Sequence, residues 1–451
     1  MNTPKLAAPL LSAIKRGEFH TVILVMPDML GRWMGKRFTA RHFAESIAGH
    51  GTHACAYLLT VDMEMDPLPG FALTSWDKGY ADFAMVPDFS SWRPIPWTPG
   101  TALVVCDVQD DAGRPIKVAP RQVLNDQVQR AWEAGYTLKM ASELEFYLFK
   151  ESYESAQKKN WKGLDHAGAY IEDYHILQGA RMEPVVGDIR NLMEKAGVPV
   201  ECSKGEWGPG QHEINLVYSD PVQMADRHTV YKHGAKEIAM ARGHALTFMA
   251  KFDAGLAGSS CHIHASLWDR AGRRNAFAAG KGESKEFRWF LGGQMALARE
   301  LSFFTAPTVN SYKRYQAATF APTRVAWARD NRTCGFRVVG EGDSLRIENR
   351  LPGADANPYL AFAATIAAGL YGIENKIEPP KAFAGDAYKS SVAGVPKSLG
   401  EAIGLLEKSK AAREAFGEEV FTHYLHAAKL EAAAYEKAVT DWEKGRYFER
   451  I

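Results

Sequence analysis

The sequence predicts an α+β protein with two domains, residues 1–118 and 119–451. Three observations carry this. Short apolar runs alternate with turn residues over the first hundred positions, and a proline-led helical pattern begins at Pro120. Beyond it, strand-like segments bearing carboxylates and histidines are separated by helical connections, without a repeat of roughly 20 to 50 residues.

Residues 21–26 are β-branched and apolar and read as a strand, with Gly31, Gly35 and Gly51 as punctuation. Prolines cluster at Pro94, Pro96 and Pro99, residues 102–108 form a second apolar strand, and residues 110–113 read as a turn closing the first domain. Leu124, Val128 and Trp132 then repeat at helical spacing until Gly135, a stop signal. Asn357 and Pro358 read as the N-cap and first residue of a buried helix through Leu360, Phe362 and Ile366. The charged, amphipathic tail beyond Lys381 is expected to be helical.

Composition narrows the function. Fifty-four Lys plus Arg against fifty-three Asp plus Glu leave a net charge of +1, which offers no general attraction to nucleic acid or to an anionic membrane. The five cysteines, Cys55, Cys106, Cys202, Cys261 and Cys334, are scattered without a Cys-x-x-Cys pair, as in a reducing compartment. The apolar stretch 6–14 is broken by Pro9 and Ser12 and does not read as a signal peptide. Residues 360–371 fall short of the roughly 20 needed to span a bilayer. A cytoplasmic protein is expected.

The chemistry lies in four alternating segments. Across residues 137–149, Leu138, Met140, Leu144, Phe146 and Leu148 share one face, while Glu143 and Glu145 point to the other, about 7 Å apart. Alone, such a pair reads as a solvated strand face. In residues 210–216, however, Glu213 shares a face with Gln211 and Asn215, and Glu206 lies just upstream. In residues 258–268, His262, His264 and Ser266 line up, and in residues 345–350, Arg346, Glu348 and Arg350 do the same. Converging carboxylates repel unless cations neutralise them. Carboxylates with one imidazole favour Mg²⁺ or Mn²⁺ over zinc. Arginines added to such a site point to phosphate or carboxylate substrates, and the combination points to phosphoryl transfer.

The strings Ser-Glu143-Leu-Glu145-Phe-Tyr-Leu-Phe, Gly258-Ser-Ser-Cys-His262-Ile-His264, Asn310-Ser-Tyr-Lys-Arg314, Asn331-Arg332, Arg346-Ile-Glu348-Asn-Arg350-Leu-Pro and Ala356-Asn-Pro-Tyr resemble, in order, the glutamine synthetase signature. The resemblance covers most of the chain from about residue 20. It implies an N-terminal β-grasp-like domain and a catalytic domain with a curved antiparallel sheet flanked by helices. It also implies a homo-oligomer, a dodecamer of two hexameric rings with active sites between subunits. By position, Glu145, Glu206 and Glu213 resemble the ligands of a first metal, and Glu143, His262 and Glu348 those of a second. Gly258, Arg314 and Arg350 resemble the glutamate-binding set. Arg332, Arg337 and Arg346, with His264 and Ser266, resemble the groups holding ATP phosphates, Arg332 and Arg337 being catalytic. The implied reaction has two steps: the γ-carboxylate of L-glutamate attacks the terminal phosphate of ATP, and an amine then displaces phosphate from γ-glutamyl phosphate.

Two departures concern the amine. Ammonium-using members of the family carry an aspartate in a Phe-Asp-Gly-Ser-Ser loop, where residues 69–76 here read Pro-Gly-Phe-Ala-Leu-Thr-Ser-Trp. The family also places a glutamate before Ala-Pro, where this chain has Phe320. Ammonium stripped of water needs anionic partners, whereas an organic amine gains from apolar contact, about 0.8 kcal/mol per buried methylene. The resemblance is therefore to the γ-glutamylamide synthetase branch, acting on a small alkyl or aromatic amine. The alternatives are an ammonia-dependent glutamine synthetase and a catalytically silent relative.

Overall fold

A computed structural model describes residues 3–280 and 282–451, and shows two large sheets backed by helices. The first has the order β2 (Trp33–Thr39), β1 (Thr21–Pro27), β6 (Thr101–Gln109), β4 (Asp82–Pro87) and β3 (Thr52–Cys55), with β5 (Arg93–Pro94) also on β6. The two apolar runs read from the sequence are its centre: β1 and β6 pair in parallel, and the remaining pairs are antiparallel. Gly35 is required where β2 crosses β1, because a Cβ there would lie 1.9 Å from the Leu24 carbonyl oxygen. The stretch containing Pro9 and Ser12 forms part of a helix, Thr3–Lys15, that buries Leu10.

The second sheet carries the ionisable residues. Its central strand is the long β7 (Tyr136–Phe149). On one side lie β9 (Gln211–Leu216) and β8 (Val200–Gly205), with the short β10 (Ala245–Thr247) also on β7. On the other lie β11 (Cys261–Asp269), β16 (Arg346–Asn349), β15 (Phe336–Val339) and β14 (Trp327–Arg329). A two-residue hairpin, β12 (Ala278–Ala279) with β13 (Gly282–Glu283), stands apart. The sheet is antiparallel throughout the site, but its edge pair β14 and β15 is parallel, which the expectation of an antiparallel sheet did not include.

One face of this sheet is apolar, with Leu144, Phe146, Ile214, Ile263, Leu267 and Ile347 fully buried or nearly so. Helices Pro120–Glu133 and Pro221–Ala241 pack against it, backed in turn by Pro358–Glu374. The last is buried on nearly every side, as its composition predicts, and the Asn357 side chain caps it by accepting from the Tyr359 N–H at 3.1 Å. The Asn357 amide also donates to the carbonyls of Asp28 and Met29, so this cap ties the helix to the first sheet. The repeat of Leu124, Val128 and Trp132 does lie on one helix, with Trp132 45% exposed beneath the Arg270 guanidinium. One expectation needs adjustment. The tail turns helical only from Leu399, after a mostly irregular stretch, and its long helix Lys410–Lys437 is broken at Gly417, where φ is +76°.

A single buried guanidinium joins the two halves. Arg121 donates to Asp88 at 2.6 Å and to Asp107 on the first sheet, and reaches Asp226 of helix Pro221–Ala241 at 3.0 Å. Tyr359 donates to the same Asp226 at 2.6 Å. Removing the cation strands the buried Asp226 carboxylate and leaves Asp88 and Asp107 unpaired, so Arg121→Ala is expected to lower stability by about 3–5 kcal/mol. The control is Arg114→Ala, whose ion pair with Asp110 is at the surface, screened by solvent, and contributes little to stability. Urea unfolding followed by fluorescence compares the two; equal midpoints would contradict the role assigned to Arg121.

Candidate active site

Strand register brings the ionisable groups together. Glu145 of β7 lies opposite Glu213 of β9, and Glu143 lies opposite Asn215 on one side and His262 of β11 on the other. His264 faces Glu348 of β16, which in turn faces Arg337 of β15. Directly paired side chains on a sheet have Cβ atoms about 5 Å apart. Alternation within each strand and register between strands therefore suffice to build a charged patch, with Glu206 added from the turn following β8.

Three sets in this patch could hold a metal ion: Glu145, Glu206 and Glu213; Glu143, Glu213 and His262; and Glu143, His264 and Glu348. In each, one ligating atom per residue lies within 4.8 Å of the others. The first is the set read from the sequence. The second set read there, Glu143, His262 and Glu348, is also drawn together, His262 Nδ1 lying 3.0 Å from Glu143 and 3.4 Å from Glu348. His264, assigned to phosphate, additionally meets Glu143 at 2.8 Å.

The electrostatics fit resident cations. Burial, reinforced by the Glu145 charge, pushes the Glu206 carboxyl up to about 8, and burial with the charges of Glu143 and Glu206 raises Glu213 well above the ordinary range. Carboxylates that already have cationic or donor partners behave oppositely. Glu348 is brought down to about 2: burial opposes its charge, but His262 and Arg350 outweigh it. Glu143 falls as well, burial again being outweighed by hydrogen bonds from His262 and His264. Burial, then the Arg350 charge, push His262 below the ordinary imidazole value. Glu206 and Glu213 are thus the carboxylates short of positive charge. A divalent ion held by them with Glu145 would supply it, along with Lewis-acid stabilisation of phosphoryl oxygens. Glu145 is oriented for this by the Ser260 N–H, which donates to it at 2.8 Å.

Two clefts open on the patch and share Glu143 and Asn215. One, of about 700 Å³, contains both Glu206 and Glu213 and is lined by Gly258, Arg314, Arg332, Arg337 and Arg350. The other, of about 560 Å³, holds His264, Ser266 and Arg346, with Lys139 3.4 Å above the ring of Trp268. Arg314 is 1% exposed, and its Nη2 donates to the carbonyls of Arg350, Leu351 and Pro352, while its Nε has no partner among the described residues. Gly258 must be glycine, since a Cβ there would lie 2.4 Å from Arg314 Cγ. Arg350 spends Nη1 on Glu348 at 2.6 Å and likewise keeps a buried Nε unpaired. These unpaired N–H groups suit an arriving anion. Arg337 bridges Glu348 at 3.0 Å and Asp330, whereas Arg332 extends exposed into the cleft.

Phe320 stands at the cleft mouth, 49% exposed, with φ of +59° and its ring 5.7 Å from that of Trp207. Trp207, Lys204, Asp173 and Tyr174 line the same cleft and were not singled out from the sequence. Lys204 was discoverable, because Cys202, Lys204 and Glu206 alternate. Its ammonium pairs with Glu206, and although burial opposes the charge, Glu206 and Glu213 hold it above the usual lysine range. No signal of periodicity marks Asp173 and Tyr174.

A sheet face that gathers carboxylates, imidazoles and arginines between two clefts defines a metal-dependent phosphoryl-transfer enzyme. Residues 117–447 match the glutamine synthetase catalytic domain, and the chain belongs to that family. It is 50% identical over 450 residues to the γ-glutamylethanolamide synthetase GlnA4 of Streptomyces coelicolor, covering 100% of this chain and 97% of the relative. It is 38% identical to a glutamate–isopropylamine ligase of a Pseudomonas species, covering 97% of each. The fold superposes on apo GmaS with a TM-score of 0.85 at 30% identity, covering 98% of this chain and 99% of the other. The family implies ATP and divalent metal. Among the described residues, no helix is long and apolar enough to cross a membrane.

The raised carboxylates make stability pH-dependent. Glu206 titrates near 4.5 when unfolded and near 8 when folded without metal, so the folded protein holds the extra proton between these values. Its contribution is intact below about 4.5 and is lost as pH rises through about 8. The metal-free thermal midpoint should therefore fall across this window, Mg²⁺ should restore it, and Glu206→Gln should flatten the fall. Differential scanning fluorimetry with EDTA or Mg²⁺ reads all three, and an identical pH slope in the variant would remove Glu206 as the cause.

Proposed function

We propose that this chain is an ATP-dependent ligase that joins the γ-carboxyl of L-glutamate to a small organic amine, a γ-glutamylamide synthetase. The observation that carries the reading is the contrast inside one cleft: a floor of carboxylates and arginines, and a mouth walled by Phe320 and Trp207. Glutamate is held at Gly258, Arg314 and Arg350, with the unpaired guanidinium N–H groups receiving a carboxylate. ATP lies in the second cleft, its phosphates directed by His264, Ser266 and Arg346 towards Arg332 and Arg337. These last two stabilise charge on the transferring phosphoryl group as γ-glutamyl phosphate forms, and the amine then displaces phosphate.

The metal positions, Glu145, Glu206 and Glu213 for one ion and Glu143, His262 and Glu348 for another, where His262 lies near both carboxylates, suit Mg²⁺ or Mn²⁺ because they offer mostly oxygen. The family resemblance supports a cytoplasmic dodecamer of two hexameric rings and a division into an N-terminal domain, residues 1–118, and a catalytic domain, residues 119–451. The names of the relatives, an ethanolamide synthetase and an isopropylamine ligase, support an alkyl amine.

The test is kcat/KM for ammonium beside methylamine, ethanolamine, isopropylamine, putrescine and aniline at one pH, corrected for free base. An organic amine is expected to lead, and ammonium ahead by about tenfold would restore an ordinary glutamine synthetase. Phe320→Ala should lower kcat/KM for isopropylamine by about tenfold through lost apolar contact, with little change in the KM for glutamate.

A further inference from the structure

The cleft mouth contains an acid that the machinery described above does not use. Asp173 lies in a loop whose base is held by its neighbour Glu172. That side chain is buried, with its carboxylate 3.2 Å from His212 Nε2, in a slot that exists only because residues 179 and 205 are glycines. From this anchor the loop projects two successive non-glycine residues in positive-φ backbone, Asp173 at +29° and Tyr174 at +70°. Residues other than glycine hold such conformations only where the surroundings enforce them, and they gather at ligand sites. The Asp173 N–H donates to the carbonyl of Glu206 at 3.1 Å, which registers the loop against Glu206 and the adjoining Trp207.

The side chain of Asp173 is partly exposed, lines the large cleft, and has no hydrogen bond or ion pair among the described residues. The nearby cation is otherwise engaged, Lys204 pairing with Glu206 and standing 4.7 Å over the ring of Tyr174. A free carboxylate therefore lines the same cleft as the aromatic rings of Trp207 and Phe320. That is the pairing a charged head and a carbon chain require.

Building on the amine-ligase reading, we propose that Asp173 captures the ammonium form of the amine substrate at the cleft mouth, while Trp207 and Phe320 cover its carbon substituent. Asp173 is thus a specificity-determining residue that selects basic amines. The pairing itself makes and breaks no covalent bond; before attack the ammonium gives its proton to solvent water, and the free base then displaces phosphate from γ-glutamyl phosphate. The two family acids absent from residues 69–76 and from position 320 are replaced in this role by one on a different loop.

The test compares ethylamine, a cation at neutral pH, with 2,2,2-trifluoroethylamine, which is similar in size but largely neutral there. Asp173→Asn should lower kcat/KM for ethylamine by about tenfold or more, and that for trifluoroethylamine by about twofold or less. Asp173→Glu, which keeps the charge, should retain much of the preference for ethylamine. Glutamate-dependent phosphate release without amine, and the KM values for glutamate and ATP, should stay at wild-type levels in both variants. Equal losses for the two amines, no loss for ethylamine, or loss of the amine-independent reaction would each overturn the assignment. Should wild-type enzyme prefer ammonium, the alkyl-amine reading falls separately. Asp173 is then read on ammonium against the weakly basic hydroxylamine, where the same split supports it and equal losses overturn it.

Discussion

Mutual repulsion among five buried or half-buried glutamates on one face of one sheet is the constraint around which this structure is organised. Glu143, Glu145, Glu206, Glu213 and Glu348 are drawn together by register, and burial sharpens their repulsion by removing the water that would screen it. Neighbouring donors answer to that charge: His262 and His264 on Glu143, Arg337 and Arg350 on Glu348, Lys204 on Glu206. These donors serve the Glu348 side better than the Glu213 side. The same asymmetry that raises Glu206 and Glu213 prepares that side for a metal ion.

Holding like charges together requires a scaffold that cannot relax. The apolar reverse face of β7, β9, β11 and β16 provides it, sealed by helices Pro120–Glu133 and Pro221–Ala241. A one-residue slip in any strand would exchange its two faces, burying glutamate in the core and exposing leucine. The hydrophobic pattern thereby enforces the catalytic geometry. Arg121 extends the same logic between the sheets, one buried cation satisfying Asp88, Asp107 and Asp226 together.

What could be read in advance follows from how local each feature is. Alternation in residues 137–149 and 210–216 disclosed the paired glutamates, because a strand writes its two faces into every second residue. The caps at Asn357 and Pro358 were legible for the same local reason. The spacing of Leu124, Val128 and Trp132 marks the helix and its stripe but not where the core ends; Trp132 is half-exposed under the Arg270 guanidinium. The parallel β14 and β15 pair depends on a connection that no periodicity records. Asp173 and Tyr174 escaped notice because their loop is neither strand nor helix, and its place in the cleft depends on Glu172 and His212, forty residues apart in sequence.

The arrangement also explains how the amine end of the cleft can be altered while the phosphoryl-transfer end is kept. Arg350, which pairs with Glu348, hydrogen-bonds residue 320 through the backbone, its Nη2 lying 3.3 Å from the Phe320 carbonyl oxygen. The ring itself turns away towards Trp207. A carbonyl accepts in the same way whatever side chain follows it, so an acid or an aromatic at this position leaves the Arg350 contact available. Most of the groups proposed for metal and phosphate sit on strands, where each side chain is fixed by register and by a core behind it, with Glu206 and Arg332 supplied from turns. The proposed amine wall, Phe320 and Trp207, sits on loops, where one residue can change without moving a strand. Selectivity for the amine is in this way separated, within one cleft, from the chemistry that activates glutamate.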